Sequence, residues 1–152
     1  MSAPAFPEQR LSIITLGAKD RSALTRFYEE VLGFANFGPP AMTMFDMGGF
    51  VLGIWDLDKL AEDAGQPARD DTPGFKGLAL AYNARSKAEV DEIFARLRTA
   101  GAEITVAPHD SFWGGYSGYF ADPEGNAWEV AYNPFWPLDE NGRVVIPPGK
   151  DS

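Results

Sequence analysis

The chain contains one histidine, His109, and no cysteine, so it has few side chains that coordinate transition metals well. A three-histidine zinc site and a two-histidine, one-carboxylate triad each need more histidines than one chain supplies. Without cysteine there is also no disulfide framework and no thiolate nucleophile. The sequence shows no nucleophile–base motif, P-loop or dinucleotide-binding glycine motif. The residue types therefore argue against metal chemistry within one chain and against these motif-based activities.

The composition indicates one folded domain of 152 residues. Hydrophobic residues make up 45% of the chain and aromatic residues 13%, which is too much apolar material for a disordered protein. The formal net charge of −9 disfavours nucleic acid as a partner, because its phosphates would be repelled. No apolar run is long enough to span a membrane, and residues 1–10 lack the pattern of a secretory signal. We therefore expect a cytoplasmic protein with no membrane partner.

The first half of the chain predicts a strand, a helix and three further strands. Leu11–Gly17 is apolar and β-branched, Asp20 is typical of a helix N-cap, and Gly33 is typical of a helix end. The helix carries one apolar stripe, formed by Leu24, Phe27, Tyr28, Val31 and Leu32. We expect three short antiparallel strands next, then a short helix and a polar linker, at Phe34–Phe37, Ala41–Met47, Phe50–Trp55, Asp58–Gly65 and Gln66–Gly74.

The second half predicts the same order of elements. Gly77–Tyr82 is a strand candidate, and Ser86 with Glu89 forms a capping box at the start of a helix that Gly101 ends. The apolar stripe of this helix consists of Val90, Ile93, Phe94 and Leu97. Three strand candidates follow, at Glu103–Ala107, Tyr116–Ala121 and Ala127–Asn133, the last two joined by the turn-forming segment Asp122–Asn126.

The two halves match each other at a spacing of 66 residues, which pairs Asp20 with Ser86 and Leu24 with Val90. A matching cap, stripe and strand order indicate an internal duplication of a βαβββ unit. We expect an α+β fold in which two βαβββ modules form an incomplete barrel, with the helices outside and a central cavity whose mouth is a usual ligand site. The expected layout is a single domain, 1–152, with module one at 10–56, a linker at 57–75, module two at 76–133 and a C-terminal tail at 134–152.

Two segments resemble the glyoxalase/bleomycin resistance/dioxygenase superfamily, also called vicinal oxygen chelate proteins. The first is LSIITLGAKDRSALTRFYEEVLGF, residues 11–34, with the strand, helix and LGF ending of that family. The second is WGGYSGYFADPEGNAWEVAYNPF, residues 113–135, with its DP-x-G hairpin and C-terminal glutamate. The resemblance covers residues 10–136 and implies a glyoxalase-like fold, whereas the superfamily hosts many chemistries.

In metal-dependent members, the resemblance implies four ligand positions, two in each module, which usually hold His, Glu or Gln. In this chain they fall on Ile13, Gly53, Gly77 or Ala79, and Glu129. The side chains of Ile, Gly and Ala have no electron pair to donate, and a lone carboxylate holds a transition metal weakly. We interpret His109 as a surface-loop residue away from these positions. The resemblance therefore implies a lost metal site, so we expect neither a divalent metal nor another cofactor.

Glu129 is the site residue that the resemblance retains, and three roles are open for it. It could bind a ligand cation, act as a general base with its pKa raised by apolar surroundings, or serve as a hydrogen-bonded structural carboxylate. The sequence offers no convincing second catalytic group beside it.

Strand alternation sorts the neighbours of Glu129 into two faces. If Glu129 points into the cavity, the same face holds Ala127, Ala131, Asn133, Ile13, Thr15, Val51, Gly53, Trp55, Gly77, Ala79 and Ala81. The core face then holds Trp128, Val130, Tyr132, Ile14, Leu16, Leu52, Ile54, Leu78 and Leu80. The cavity residues are mostly small, which leaves room for a ligand.

The expected ligand-binding residues are Thr15, Trp55, Trp113, Tyr116, Tyr119, Glu129 and Asn133. Aromatic side chains among them can stack on a flat or cationic ligand, although each can equally serve as core packing. The favoured function is metal-free binding of a small molecule, cationic or aromatic, as in bleomycin-type drug-binding relatives. The alternative is a lyase, isomerase or dioxygenase-type enzyme that uses Glu129 as base or metal ligand. Phe135 and Trp136 in the tail are apolar, so we expect them to fold back on the sheet, cover the cavity rim or pack on a second subunit. A small barrel with two open edges favours a homodimer.

Overall fold

The computed structural model describes residues 4–5, 7–68 and 74–146. The chain divides into two compact units, Met1–Asp71 and Thr72–Ser152, and the division falls within the segment 57–75 expected as a linker. Residues 69–73 of that linker lie outside the described part of the chain. Within the described residues, no helix is both long enough and apolar enough to cross a membrane.

The first unit contains a three-stranded mixed sheet. Its elements are β1 (Ile13–Ala18), α1 (Arg21–Arg26), a π-helical turn that continues α1 (Phe27–Val31), β2 (Thr43–Asp46), β3 (Val51–Asp56) and α2 (Leu57–Asp63). The strand order is β1-β3-β2, with β1 parallel and β2 antiparallel to β3. The buried core of this unit comprises Leu16, Leu24, Tyr28, Phe45, Leu52 and Ile54.

The strand expected at Phe34–Phe37 is wrong, so the first unit has one strand fewer than a βαβββ module. Only Asn36 forms an isolated bridge there, to Phe45 in β2. The Asn36 side chain accepts hydrogen bonds from the backbone N–H groups of Gly38 (2.9 Å) and Met44 (3.1 Å). Pro39 and Pro40 lack the N–H group that a ladder requires, so the segment is a loop fixed by a side chain instead of a strand.

The second unit contains a four-stranded mixed sheet beside one long helix. Its elements are β4 (Ala79–Ala84), α3 (Lys87–Thr99), β5 (Glu103–Asp110), β6 (Tyr116–Ala121) and β7 (Ala127–Tyr132). The strand order is β4-β7-β6-β5, and only the β4–β7 pair is parallel. The buried core comprises Val90, Phe94, Leu97, Phe120, Trp128 and Val130. The expected core position of Leu78 is wrong: β4 begins one residue later, and Leu78 is 47% exposed.

The internal duplication is visible in the details of the two units. Asp20 and Ser86 each cap a helix by accepting a hydrogen bond from the N–H group three residues on, at 3.0 and 3.1 Å. The parallel pairs β1–β3 and β4–β7 share one register, with Thr15 opposite Gly53 and Ala81 opposite Glu129. The α+β class is thus confirmed, and among the described residues neither sheet closes on itself.

Candidate functional site

Glu129 lies on the face of the four-stranded sheet that points away from α3. Its neighbours along β7, Trp128 and Val130, are buried in the core. On β6, Gly118 faces α3, because a Cβ added there would lie 2.7 Å from the ring of Phe94. One row of residues crosses the sheet at Glu129, and we call it the Glu129 row: Ala81, Glu129, Tyr119 and Val106.

Tyr119 is the direct partner of Glu129 in this row. The two residues are paired across β6 and β7. Burial raises the pKa of Tyr119, and its interaction with the negatively charged Glu129 carboxylate raises it further. The Tyr119 hydroxyl is therefore protonated at neutral pH and can donate to Glu129. The sequence alone showed no second polar group beside Glu129. The Tyr119 hydroxyl is that group.

His109 lies in a strand, which corrects its interpretation as a surface-loop residue. It belongs to β5 and is paired with Ser117 of β6, which is in turn paired with Ala131 of β7. This row is adjacent to the Glu129 row on the same face, about 7 Å away along the strands. The Nδ1 atom of His109 lies 3.1 Å from the carbonyl oxygen of Ala107. The sequence predicted that this strand ends at Ala107. β5 instead continues for three more residues, past two register shifts, and therefore includes His109.

Tyr116 lies on the opposite face from Tyr119, away from the expected ligand side. Its hydroxyl donates to Asp91 of α3 at 2.6 Å, and Lys87 of α3 lies 5.6 Å from the centre of its ring. The hydrogen bond to Asp91 raises the pKa of Tyr116. Because side chains alternate along β6, Tyr116 and Tyr119, three residues apart, cannot share a face.

Trp113 and Asn133 lie next to the strands and are engaged in local structure. Trp113 packs its ring against Gly115 within the turn that joins β5 and β6, so no side chain would fit at Gly115. The Asn133 side chain accepts a hydrogen bond from the N–H group of Phe135 at 2.9 Å and thereby starts the tail. The structure does not bring these two residues into the Glu129 row.

In the first unit, Thr15 and Gly53 are paired on the face away from α1. A Cβ added to Gly53 would lie 3.5 Å from Thr15 Oγ1 and 3.6 Å from Ile13 Cδ1, but 2.8 Å from Met42 Cε. The Met42 methyl group thus fills the space that a side chain at position 53 would enter. Trp55, two residues further along β3, is half-buried on the same face. Around Gly53 this surface is apolar apart from the Thr15 hydroxyl, and Asp46, paired with Val51, lies further along the same face.

A sequence model of the Glyoxalase/Bleomycin resistance protein/Dioxygenase superfamily matches residues 10–130 of the chain. The chain belongs to this superfamily. None of the curated proteins compared with it matches.

Solved structures support the superfamily assignment over most of the chain. A glyoxalase-related enzyme from Fulvimarina pelagi is 39% identical, with a TM-score of 0.81, and the match covers 91% of this chain and 99% of that one. A glyoxalase/bleomycin resistance protein/dioxygenase from Nocardioides is 28% identical, with a TM-score of 0.74 and coverages of 84% and 85%. A lactoylglutathione lyase from Agrobacterium tumefaciens is also 28% identical, with a TM-score of 0.67 and coverages of 88% and 100%.

The residues at the superfamily's metal-ligand positions do not fit a metal ion. The shared register makes Ala79 the counterpart of Ile13, whereas Gly77 precedes β4 and has a positive φ of 82°. Ile13, Gly53 and Ala79 offer no donor atoms, which leaves Glu129 with its Tyr119 partner. Over residues 4–5, 7–68 and 74–146, no three His, Asp or Glu side chains are grouped closely enough to hold a metal.

Proposed function

We propose that this glyoxalase-superfamily protein binds a small molecule without a metal ion. One observation carries the proposal: three of the four family ligand positions have side chains without donor atoms, while Glu129 keeps a carboxylate. A ligand at such a site must be held by hydrogen bonds, charge and apolar contacts instead of coordination.

The ligand in this proposal carries a cationic or hydrogen-bonding group next to an apolar or aromatic body. The Glu129 carboxylate supplies the charge for the polar group, and Tyr119 supplies an aromatic ring beside it. Ala81, paired with Glu129 on the same face, is small and exposed, which leaves room beside the carboxylate. The net charge of −9 favours a cation over an anion near this face.

Two measurements test this function. Elemental analysis of the purified protein, before and after chelation, should find less than one equivalent of any transition metal. Titration with a panel of cationic aromatic compounds, followed by tryptophan fluorescence, should give saturable binding that Glu129→Gln weakens by about tenfold or more. Glu92→Gln, an exposed carboxylate on α3, is the matched control and should bind as the parent does. One tightly held metal per chain, or an unchanged affinity in Glu129→Gln, would refute the proposal.

A metal-independent lyase or isomerase is the second candidate, and the cross-strand pairing of Tyr119 with Glu129 favours it. Glu129 would accept the proton of a carbon next to a carbonyl group, while the Tyr119 hydroxyl donates its proton to the carbonyl oxygen. The C–H electron pair becomes the new C=C bond and the carbonyl π pair moves to oxygen, so an enol forms. Among the similar structures, one is described as a glyoxalase-related enzyme and another as a lactoylglutathione lyase.

Turnover separates the two candidates. Loss of hydrogen–deuterium exchange at the α-carbon of a carbonyl substrate in both Glu129→Gln and Tyr119→Phe would support the enzyme. Saturable binding without exchange or product would support the binding protein. A dioxygenase-type reaction would instead require a metal ion that stays bound to the protein during treatment with a chelator.

The proposal includes a cytoplasmic homodimer. Phe135 and Trp136 in the tail are 61% and 44% exposed, an apolar surface that a second copy would cover. Sedimentation velocity should give the mass of a dimer, and Trp136→Glu should shift it toward the monomer. A monomeric parent protein would refute this part, and a reporter fusion tests the cellular location.

A further inference from the structure

We propose that a cleft of about 400 Å³ beside α1 binds the oxyanion group of a small organic acid or phosphate ester. One wall of this arginine cleft consists of Arg21, Ser22, Thr25 and Arg26, and the other is the loop 38–40. It lies on the α1 side of the first unit's sheet, because Thr43 at its base faces Thr25, whereas Thr15 and Gly53 face the other way. The inference is therefore independent of Glu129 and the function proposed above.

The wall of the cleft formed by α1 carries hydrogen-bond donors, and no acidic side chain is among the lining residues. Two arginines and three hydroxyl-bearing residues line it, in a chain whose net charge is −9. Guanidinium groups match the geometry of carboxylate and phosphate oxygens and bind them in pairs of hydrogen bonds. The positive charge in this cleft would repel a cation and attract an anion, although the protein as a whole is acidic.

Arg21 is held across the mouth of the cleft by two acceptors. Its Nε atom lies 3.4 Å from Asp56 Oδ1, and an Nη atom donates to the Pro40 carbonyl oxygen at 3.1 Å. A guanidinium group has more N–H groups than these two acceptors use, so the remainder are available to a ligand. Asp56 also pairs with Lys59 at 3.1 Å, so one carboxylate is shared between two cations and the local charge stays positive. Arg26 forms no ion pair within the described part of the chain.

The base of the cleft has a hydroxyl proton to donate. Thr25 and Thr43 share a hydrogen bond of 2.7 Å, and Thr43 is only 1% exposed. Either hydroxyl can be the donor in this bond, which uses one of the two hydroxyl protons. The pair therefore keeps one further proton that can be donated to a ligand oxygen.

The opposite wall is rigid before any ligand binds. A side chain at Gly38 would collide with the Met42 carbonyl oxygen, so only glycine fits there. Pro39 and Pro40 have fixed φ angles, and the Asn36 side chain ties the ends of the loop together. A preformed wall lowers the entropic cost of binding. The two proline rings give the organic part of the ligand an apolar surface, and the volume exceeds what an inorganic ion would fill.

Amide NMR on the isotopically labelled full chain tests the cleft. Inorganic phosphate, phenyl phosphate and benzoate are titrated separately at constant ionic strength, so that the last two distinguish a phosphate from a carboxylate ligand. We expect saturable shifts at Ser22, Thr25 and Gly38, with phenyl phosphate or benzoate binding more tightly than inorganic phosphate. Arg26→Gln should weaken binding by about tenfold.

Control variants make the outcome decisive. Arg98→Gln removes an exposed arginine from α3, and Glu129→Gln removes the carboxylate of the other site, so both should bind the probes as the parent does. Arg21→Gln should also weaken binding, and if it fails to fold, Arg26→Gln carries the test alone. Shifts that do not saturate, or equal affinity in Arg26→Gln and Arg98→Gln, would overturn the proposal.

Discussion

At the scale of single residues, the pairing of Glu129 with Tyr119 sets the chemistry available on the second sheet. The Glu129 carboxylate can accept a proton from a ligand or bind a ligand cation. The protonated Tyr119 phenol beside it can orient the ligand. The sequence drew attention to Glu129, but its partner depends on the register of β6 against β7. Register is a tertiary property, since a shift by one residue would have presented Phe120 or Gly118 instead.

Replacement of Glu129 by glutamine should lower the pKa of Tyr119 toward the value of an ordinary tyrosine, leaving the contribution of burial. The carboxylate raises that pKa by accepting the phenol's hydrogen bond and by repelling the phenolate. Tyrosine ¹³Cζ shifts followed against pH measure the change, with Tyr116 as the internal control because its partner is Asp91. An unchanged Tyr119 titration would contradict an interaction between the phenol and the Glu129 carboxylate.

The same pKa fixes the sign of a pH effect on stability. A raised folded-state pKa means that the protonated phenol is favoured in the native protein. This stabilisation is complete below the unfolded pKa of tyrosine, about 10, and is lost as the pH rises through the folded pKa. As the pH rises into the alkaline range, Tyr119→Phe should therefore lose less free energy of unfolding than the parent does. Urea unfolding at several pH values would measure this difference.

At the scale of elements, the turn between β6 and β7 holds Tyr119 and Glu129 in register. Asp122 is 3% exposed, and its Oδ1 atom accepts hydrogen bonds from the N–H groups of Glu124 (3.0 Å) and Asn126 (2.9 Å). Its other oxygen accepts from the Asn126 side chain at 2.8 Å. Gly125, with a φ of 82°, completes the turn in a conformation that L residues rarely adopt.

Asp122→Asn should destabilise the protein by about 1–3 kcal/mol, because its new amide group would face the Asn126 amide, donor against donor. Exchange of both residues, Asp122→Asn with Asn126→Asp, restores a donor opposite an acceptor. We expect the double variant to lose less stability than the sum of the single variants, measured by urea unfolding. Additive losses would show that the side-chain bond contributes little.

The sequence predicted correctly where two helices start. It also predicted a strand at Phe34–Phe37 that does not form. Caps depend on contacts three residues apart, so Asp20 and Ser86 could be recognised locally. The loop in place of the strand depends on where the Asn36 side chain finds its donors, at Gly38 and at Met44 on β2. The arginine cleft beside that loop was invisible to the sequence for the same reason.

At the scale of the whole molecule, the absence of donors at Ile13, Gly53 and Ala79 leads to a simple expectation about metals. If the protein is metal-free as proposed, coordination contributes no folding free energy, and the melting temperature should be the same with and without a strong chelator. Differential scanning calorimetry at fixed protein concentration measures this, and addition of Ni²⁺ or Zn²⁺ should likewise leave the melting temperature unchanged. A fall of several degrees on chelation would reveal a metal site that these residues do not account for.

The sequence by itself determined the α+β class, the duplication, both helix caps, the superfamily and the side chains at its ligand positions. These rest on composition and on spacing along one chain, where apolar stripes and cap residues act over a few residues. Only the tertiary structure decided that Tyr119 pairs with Glu129, that Tyr116 faces α3, and that His109 lies in a strand. Each of these depends on strand register and bulges, which arise from hydrogen bonds between segments far apart in the chain.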